Sequence, residues 1–129
     1  MHELSVCQAL LTQVAEIAAD RGAIAVERII IEVGPLSGVE AHSLLQAFAV
    51  ARRGSCAADA VLSIEETPVV VLCLGCGVQT KTSPNRLVCA ECGGYRTRIM
   101  AGDELRLRRV ELRVAAAQSA GLALTVDED

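Results

Sequence analysis

Tryptophan is absent from the 129 residues, and phenylalanine and tyrosine occur once each. The interior must therefore be aliphatic, built from Ile, Leu, Val and Ala. No apolar run approaches the ~20 residues that a membrane-spanning helix needs. The opening Met1-His-Glu-Leu-Ser has neither the basic start nor the apolar stretch of a secretory signal. That predicts a cytoplasmic setting, in which thiols stay reduced. The net charge of −4 argues against a chain whose main task is to grip nucleic-acid phosphates. No Ser/His/Asp or Cys/His set and no phosphate-binding loop can be found, so the chain reads as a non-enzyme. Its length suits one ordinary domain, or a small core with a metal-stapled lobe.

What is present is cysteine in pairs. Cys73-Leu-Gly-Cys76-Gly is followed by Cys89-Ala-Glu-Cys92-Gly-Gly. Four thiolates suit a tetrahedral ion, and a site closed by four protein ligands leaves no position for substrate. Gly77 and Gly93 stand just after each pair, where the backbone often needs positive φ. We read a structural zinc module with ligands Cys73, Cys76, Cys89 and Cys92. A mononuclear iron site has the same sulfur chemistry and stays open at this point. Two disulfides, or four unrelated buried thiols, are the bland alternatives. Cys7, on an apolar helix face, reads as a small core residue, and Cys56 as a loop residue without a role.

The rest of the chain alternates helix and strand. Leu4, Cys7, Leu10, Leu11, Val14, Ile17 and Ala18 share one face of a helix over residues 4–21, closed by Gly22. Val26 to Val33 reads as a strand stopped by Gly34-Pro35. Ser37-Gly-Val-Glu40 matches a capping box, with Ser37 as N-cap of a helix running to about Arg52. Ala60 to Glu66 and Glu104 to Val114 read as further strands. A change of parity at Arg108-Arg109 in the latter predicts a bulge or bend. The expected fold is α/β: two helices on a small sheet of about three strands, with an inserted zinc-ribbon-like module of four cysteines. Residues 1–68 plus 100–114 form the α/β domain, 69–99 the inserted module, and 115–129 a flexible tail. At about thirty residues the insert needs a metal to hold it.

The start of the chain holds a second metal-binding pattern. A histidine at position 2 brings the terminal amine, a backbone nitrogen and the imidazole within reach of one ion. Such nitrogen sets suit Ni(II) or Cu(II), although an ordinary solvated residue accounts for a lone His2 as well.

Four stretches together resemble the HypA/HybF family of nickel metallochaperones for [NiFe]-hydrogenase maturation. They are Met1-His-Glu-Leu-Ser-Val-Cys-Gln-Ala-Leu10, Val33-Gly-Pro-Leu-Ser-Gly-Val-Glu40, the paired cysteines, and Gly102-Asp-Glu-Leu-Arg-Leu-Arg-Arg-Val-Glu-Leu112. The resemblance implies a nickel-binding N-terminal domain and a four-cysteine zinc domain. It implies nickel ligation by His2 with Met1 in support and Glu3 tuning or completing the site. Glu40 falls where the family often has an acidic residue near the nickel, and its helix-capping role is an equal reading. The resemblance further implies two partners, the nickel-binding GTPase of the pathway and the hydrogenase large-subunit precursor. Both a monomer and a homodimer stay open. Some members flank the cysteines with histidines linked to acid sensitivity and a urease role. Here the other histidine is His42, read as a surface residue. A rival reading takes Lys81, Arg86, Arg96, Arg98 and Tyr95 as the contact face of a zinc-ribbon module that binds nucleic acid or another partner.

Overall fold

The computed structural model describes residues 3–116 and 119–127. The elements run α1 (Glu3–Asp20), β1 (Ala23–Val33), α2 (Ala41–Ala51), β2 (Val61–Glu66), β3 (Val69–Cys73), β4 (Gln79–Thr82), β5 (Thr97–Ala101), β6 (Leu105–Ala116) and β7 (Ser119–Asp127). The chain divides into two compact units. The first comprises Met1–Ile31, Glu40–Ile64 and Leu107–Asp129, and the second Glu32–Val39 and Glu65–Arg106.

The first unit is an aliphatic α/β core. α1 buries Val6, Cys7, Leu11, Val14 and Ala18. Leu4, expected on this stripe, is 42% exposed because the stripe turns toward Val6 in the first helical turn. Gly22 closes the helix at φ 64°, a conformation glycine takes without a Cβ penalty. α2 packs against α1 and buries Leu44 and Phe48, and the Cys7 thiol lies 3.5 Å from the Leu44 carbonyl oxygen. Burial and the nearby Glu3 carboxylate both push the Cys7 thiol pKa up, which suits an inert core residue. In the sheet order β2-β1-β6-β7, Ile29 and Ile31 of β1 and Val110 and Leu112 of β6 are fully buried. Leu107 is buried on the other parity, so the alternation does slip across Arg108-Arg109.

Two local expectations fail. The N-cap of α2 is Glu40 instead of Ser37. Gly38 has φ 82°, which no helical residue adopts, so the helix can begin only after it. Glu40 caps unaided: Oε1 accepts from the His42 amide at 3.1 Å, and Oε2 from the Ser43 amide and hydroxyl at 2.8 and 2.7 Å. Ser37 Oγ instead accepts from the Val39 amide within the preceding turn. The second failure is the flexible tail. Ser119–Asp127 is strand β7, antiparallel to β6 with Leu124 opposite Leu112 and Val126 opposite Val110. A run of small residues from Ala115 masks the alternation Leu122, Leu124, Val126. Residues 117, 118, 128 and 129 of the expected tail lie outside the described residues.

The second unit is built on a three-stranded antiparallel sheet with β3 central, in the order β4-β3-β5. Val69, Val71 and Cys73 of β3 share its buried face. Where the chain enters and leaves this sheet, three segments cross tightly. The Gly34 amide donates to the Glu104 carbonyl at 2.8 Å and the Leu36 amide to the Gly102 carbonyl at 2.7 Å. Glu104 Oε1 accepts from both the Thr67 hydroxyl and the Gly102 amide, each at 2.8 Å.

Burial raises the Glu104 carboxyl, but the Thr67 hydroxyl, the Glu104 and Gly102 amides and the Arg106 charge outweigh it and hold the pKa below its ordinary value. A depressed carboxyl stabilises the fold above its unfolded pKa, and that contribution is lost as pH falls through the lower folded value. Glu104→Gln should therefore flatten the acid side of a stability profile, followed as urea midpoints from about pH 6 to pH 3. An unchanged slope would show that the carboxylate contributes nothing there.

Candidate metal centre

Each cysteine pair forms the same short turn. The Gly77 amide donates to the Cys73 carbonyl and the Gly93 amide to the Cys89 carbonyl, both at 2.9 Å. Closing such a turn requires positive φ at its end, and Gly77 and Gly93 have φ 78° and 75°. The backbone also turns donors onto sulfur. The Cys76 amide lies 3.4 Å from Cys73 Sγ, and the Cys92 amide 3.5 Å from Cys89 Sγ. Amides directed at sulfur favour the thiolate.

The two turns face each other, and their four sulfurs lie within 4.8 Å of one another. Cys73 Sγ is 3.6 Å from Cys92 Sγ, and Cys76 Sγ is 3.7 Å from Cys89 Sγ. A tetrahedron with metal–sulfur bonds of about 2.3 Å has edges of about 3.8 Å, so the spacing suits one ion. Both distances exceed a disulfide bond, and all four thiols are free. No disulfide joins them in this arrangement. Among the described residues, these are the cysteine, histidine and carboxylate side chains gathered closely enough to hold a metal.

The close approach of the four sulfurs also splits their protonation. Cys73 is lowered to about 6, first by the Cys76 amide and then by the Gly75 amide. Cys76 receives the Val78 amide, but burial and the Cys73, Cys89 and Cys92 sulfurs outweigh it and push it up to about 12. Cys89 is lowered, first by the Cys92 amide. Cys92 is raised by Cys73 and Cys89 against the pull of the Gly94 amide. Crowded thiols cannot all ionise alone, whereas a bound divalent ion deprotonates them together.

Supporting groups escaped the sequence reading. Thr80 Oγ1 accepts from the Ala90 amide at 3.1 Å, which ties β4 to the second turn. The Thr97 hydroxyl donates to the Leu87 carbonyl at 2.8 Å. A Cβ on Gly94 would stand 3.2 Å from Cys92 Sγ and 3.4 Å from Cys73 Sγ. The second glycine of Cys92-Gly-Gly is the signal that could have marked that last constraint.

Met1 and His2 lie outside the described residues. Glu3 is the first residue of α1 and partly exposed. Glu40 is exposed, with both carboxylate oxygens engaged by the start of α2. The Ser43 hydroxyl first, then the Ser43 and His42 amides, hold its pKa below the ordinary carboxylate value. His42 is exposed. Lys81, Arg86, Arg96 and Arg98 are exposed as well, and Tyr95 is 82% exposed.

A family model described as hydrogenase/urease nickel incorporation, metallochaperone, HypA, matches residues 1–112. The chain belongs to the HypA family. It is 42% identical over 112 residues to the hydrogenase maturation factor HypA of Nitrosospira multiformis, covering 87% of this chain and 97% of that one. The Aquifex aeolicus HypA is 34% identical over 114 residues, covering 88% and 99%. The solution structure of the nickel metallochaperone HypA from Helicobacter pylori superposes with a TM-score of 0.66 at 30% identity, over 90% of this chain and all of that one. This HypA-family chain has, among its described residues, no helix long and apolar enough to cross a membrane.

Proposed function

We propose that the chain is a non-enzymatic carrier that receives Ni(II) at its N-terminus and delivers it for assembly of the [NiFe]-hydrogenase centre. The observation that carries this reading is the closed four-sulfur cluster in a HypA-family chain. Four cysteines fill a tetrahedral ion's positions, so that cluster suits a resident zinc and leaves cargo to another site. Zinc bound there by Cys73, Cys76, Cys89 and Cys92 supplies cross-linking only. The inserted zinc domain covers residues 69–99, and residues 1–68 with 100–114 form the nickel-binding domain.

Nickel is held by His2 with the Met1 amine and adjacent backbone nitrogen. Nitrogen donors suit its tetragonal preference, and a terminal site can release the ion one ligand at a time. Glu3 supplies an acidic neighbour. Glu40, ionised and anchored on α2, is assigned beside the nickel without being a ligand. The carrier works in the cytoplasm between the nickel-binding GTPase of the pathway and the hydrogenase large-subunit precursor.

Native mass spectrometry of the untagged, zinc-loaded chain titrated with Ni(II) tests the proposal. One nickel per chain is expected, lost from His2→Ala and from a chain extended by Gly-Ser at its N-terminus, with zinc retained in both. Equal nickel uptake by all three, or displacement of zinc from the cysteines, would remove the N-terminal site.

A further inference from the structure

β4 and the turn after it carry cations that no carboxylate of the chain answers. Lys81 is fixed on β4 by its ladder position opposite Val70. Ser83-Pro84-Asn85-Arg86 then folds back as a tight turn, with proline presetting the backbone at its second position. Its ends form an antiparallel bridge, and the Arg86 amide donates to the Ser83 carbonyl at 3.1 Å. Arg86 is thereby returned to the end of the strand that carries Lys81.

Lys81, Thr82, Ser83 and Arg86 line a cleft of about 370 Å³ that also reaches the second cysteine turn at Cys89 and Ala90. That volume lies in the range of small-molecule sites, about 300–1,000 Å³. No carboxylate lines it among the described residues. Arg28, Arg106 and Arg113 each stand against a glutamate. Among the described residues, neither Lys81 nor Arg86 has an ion pair or a side-chain hydrogen bond. The hydroxyls add donors. Thr82 Oγ1 is buried without a hydrogen-bond partner, an uncommon and unfavourable state. Ser83 Oγ accepts from the Asn85 amide at 3.3 Å, which leaves its own hydrogen to donate.

Donors on four side chains without an acidic acceptor suit an anion. A carboxylate offers them two oxygens, whereas a phosphate monoester offers three at up to twice the charge. Tyr95, Arg96 and Arg98 do not line the cleft. Arg98 stands on β5, on the far side of β3 from Lys81. The five residues of a nucleic-acid face are thus divided, and the two that gather favour a compact ligand over a long strand.

We propose that this cleft binds a small phosphate monoester. Lys81 and Arg86 hold the phosphate oxygens, the Ser83 hydroxyl donates to them, and Thr82 gains the partner it lacks.

The full zinc-loaded chain is titrated at constant ionic strength with inorganic phosphate, adenosine monophosphate and adenosine, followed by amide NMR shifts. Both phosphates should give saturable shifts at Lys81, Arg86 and Ala90 with a Kd of about 1 mM or tighter, and adenosine none. Lys81→Gln with Arg86→Gln should weaken nucleotide binding at least about tenfold. Arg96→Gln with Arg98→Gln should leave it unchanged. All four side chains are exposed, and zinc content with amide dispersion verifies that both variants fold. Thr82→Val should weaken binding about fivefold, the worth of one hydrogen bond, without lowering the urea midpoint. Refusal of the nucleotide, shifts that never saturate, or equal losses from the two double variants overturn the proposal. So does hexaglutamate bound as tightly as the nucleotide, which would mark a docking point for an acidic protein segment. An RNA oligonucleotide whose binding depends on Arg96 and Arg98 would overturn it in favour of a nucleic-acid face.

Discussion

Replacing Cys89 by serine is expected to lower the zinc content from one ion per chain to none and to unfold the second unit's sheet. Cys89 is 1% exposed, its sulfur accepts from the Cys92 amide, and it stands 3.7 Å from Cys76 Sγ. Its loss removes one of four ligands and the anchor of the second turn. Besides the ligands Cys73 and Cys89, the described residues of this unit bury few apolar side chains, Val33, Val39, Val69 and Val71, too little apolar surface to hold three short strands. With the proposed zinc bound, metal binding is expected to supply the larger part of the folding free energy of this lobe. Inductively coupled plasma measurement of zinc, with hydrogen exchange resolved by segment, checks both parts. Exchange should rise throughout β3, β4 and β5 while α1 stays protected. Protection of β3 retained in a zinc-free Cys89→Ser chain would mean that the sheet folds unaided. Chelation of the native chain should reproduce the effect and reverse on adding zinc.

Gly34→Ala is the second large effect, and its cause is purely steric. Gly34 does not need positive φ, yet a Cβ there would overlap the Gly102 carbonyl oxygen and stand 2.8 Å from the Asp103 nitrogen. Both are backbone atoms, held by the Leu36 amide on Gly102 O and the Gly34 amide on Glu104 O. Neither can step aside without breaking the crossing. We expect a destabilisation of about 3 kcal/mol or more, beyond the usual cost of overpacking. Gly22→Ala is the control: its φ of 64° is unfavourable for alanine, but nothing lies within 4 Å, so about 1 kcal/mol is expected. Urea denaturation of both variants makes the comparison. If Gly34→Ala costs no more than Gly22→Ala, the crossing is looser than described.

The contrast between these two glycines also shows what sequence can carry. Gly22 follows an amphipathic stripe and announces itself as a helix end. Gly34 reads only as half of a Gly-Pro stop, because its constraint comes from Gly102, sixty-eight positions on. The cysteine cluster was legible for the opposite reason. Spacing within each pair is local, and the two glycines after the pairs encode the turns that aim the sulfurs. The start of α2 was misread because two residues competed for one role. Ser37 fits the cap by type, and only Gly38 at φ 82° decides in favour of Glu40. β7 was hidden because its partner strand, rather than its own composition, makes it a strand. His2 lies outside the described residues, and its reading as a ligand stays with the proposal.

The order of strands has a consequence for how the chain is made. β1 pairs with β6, and the ion pair between Glu27 and Arg113 joins residues 86 positions apart. Between them, in order of synthesis, come both cysteine pairs. During translation the central strand waits, half-covered, until the whole metal module has left the ribosome. A module that has already captured its ion is a closed knot in that loop and shortens the free chain that must be ordered when β6 arrives. Metal supply at that moment therefore bears on how long an aliphatic strand edge stays open to aggregation. Zinc starvation should be felt first as poor yield of newly made chain, before any chain already folded loses its ion.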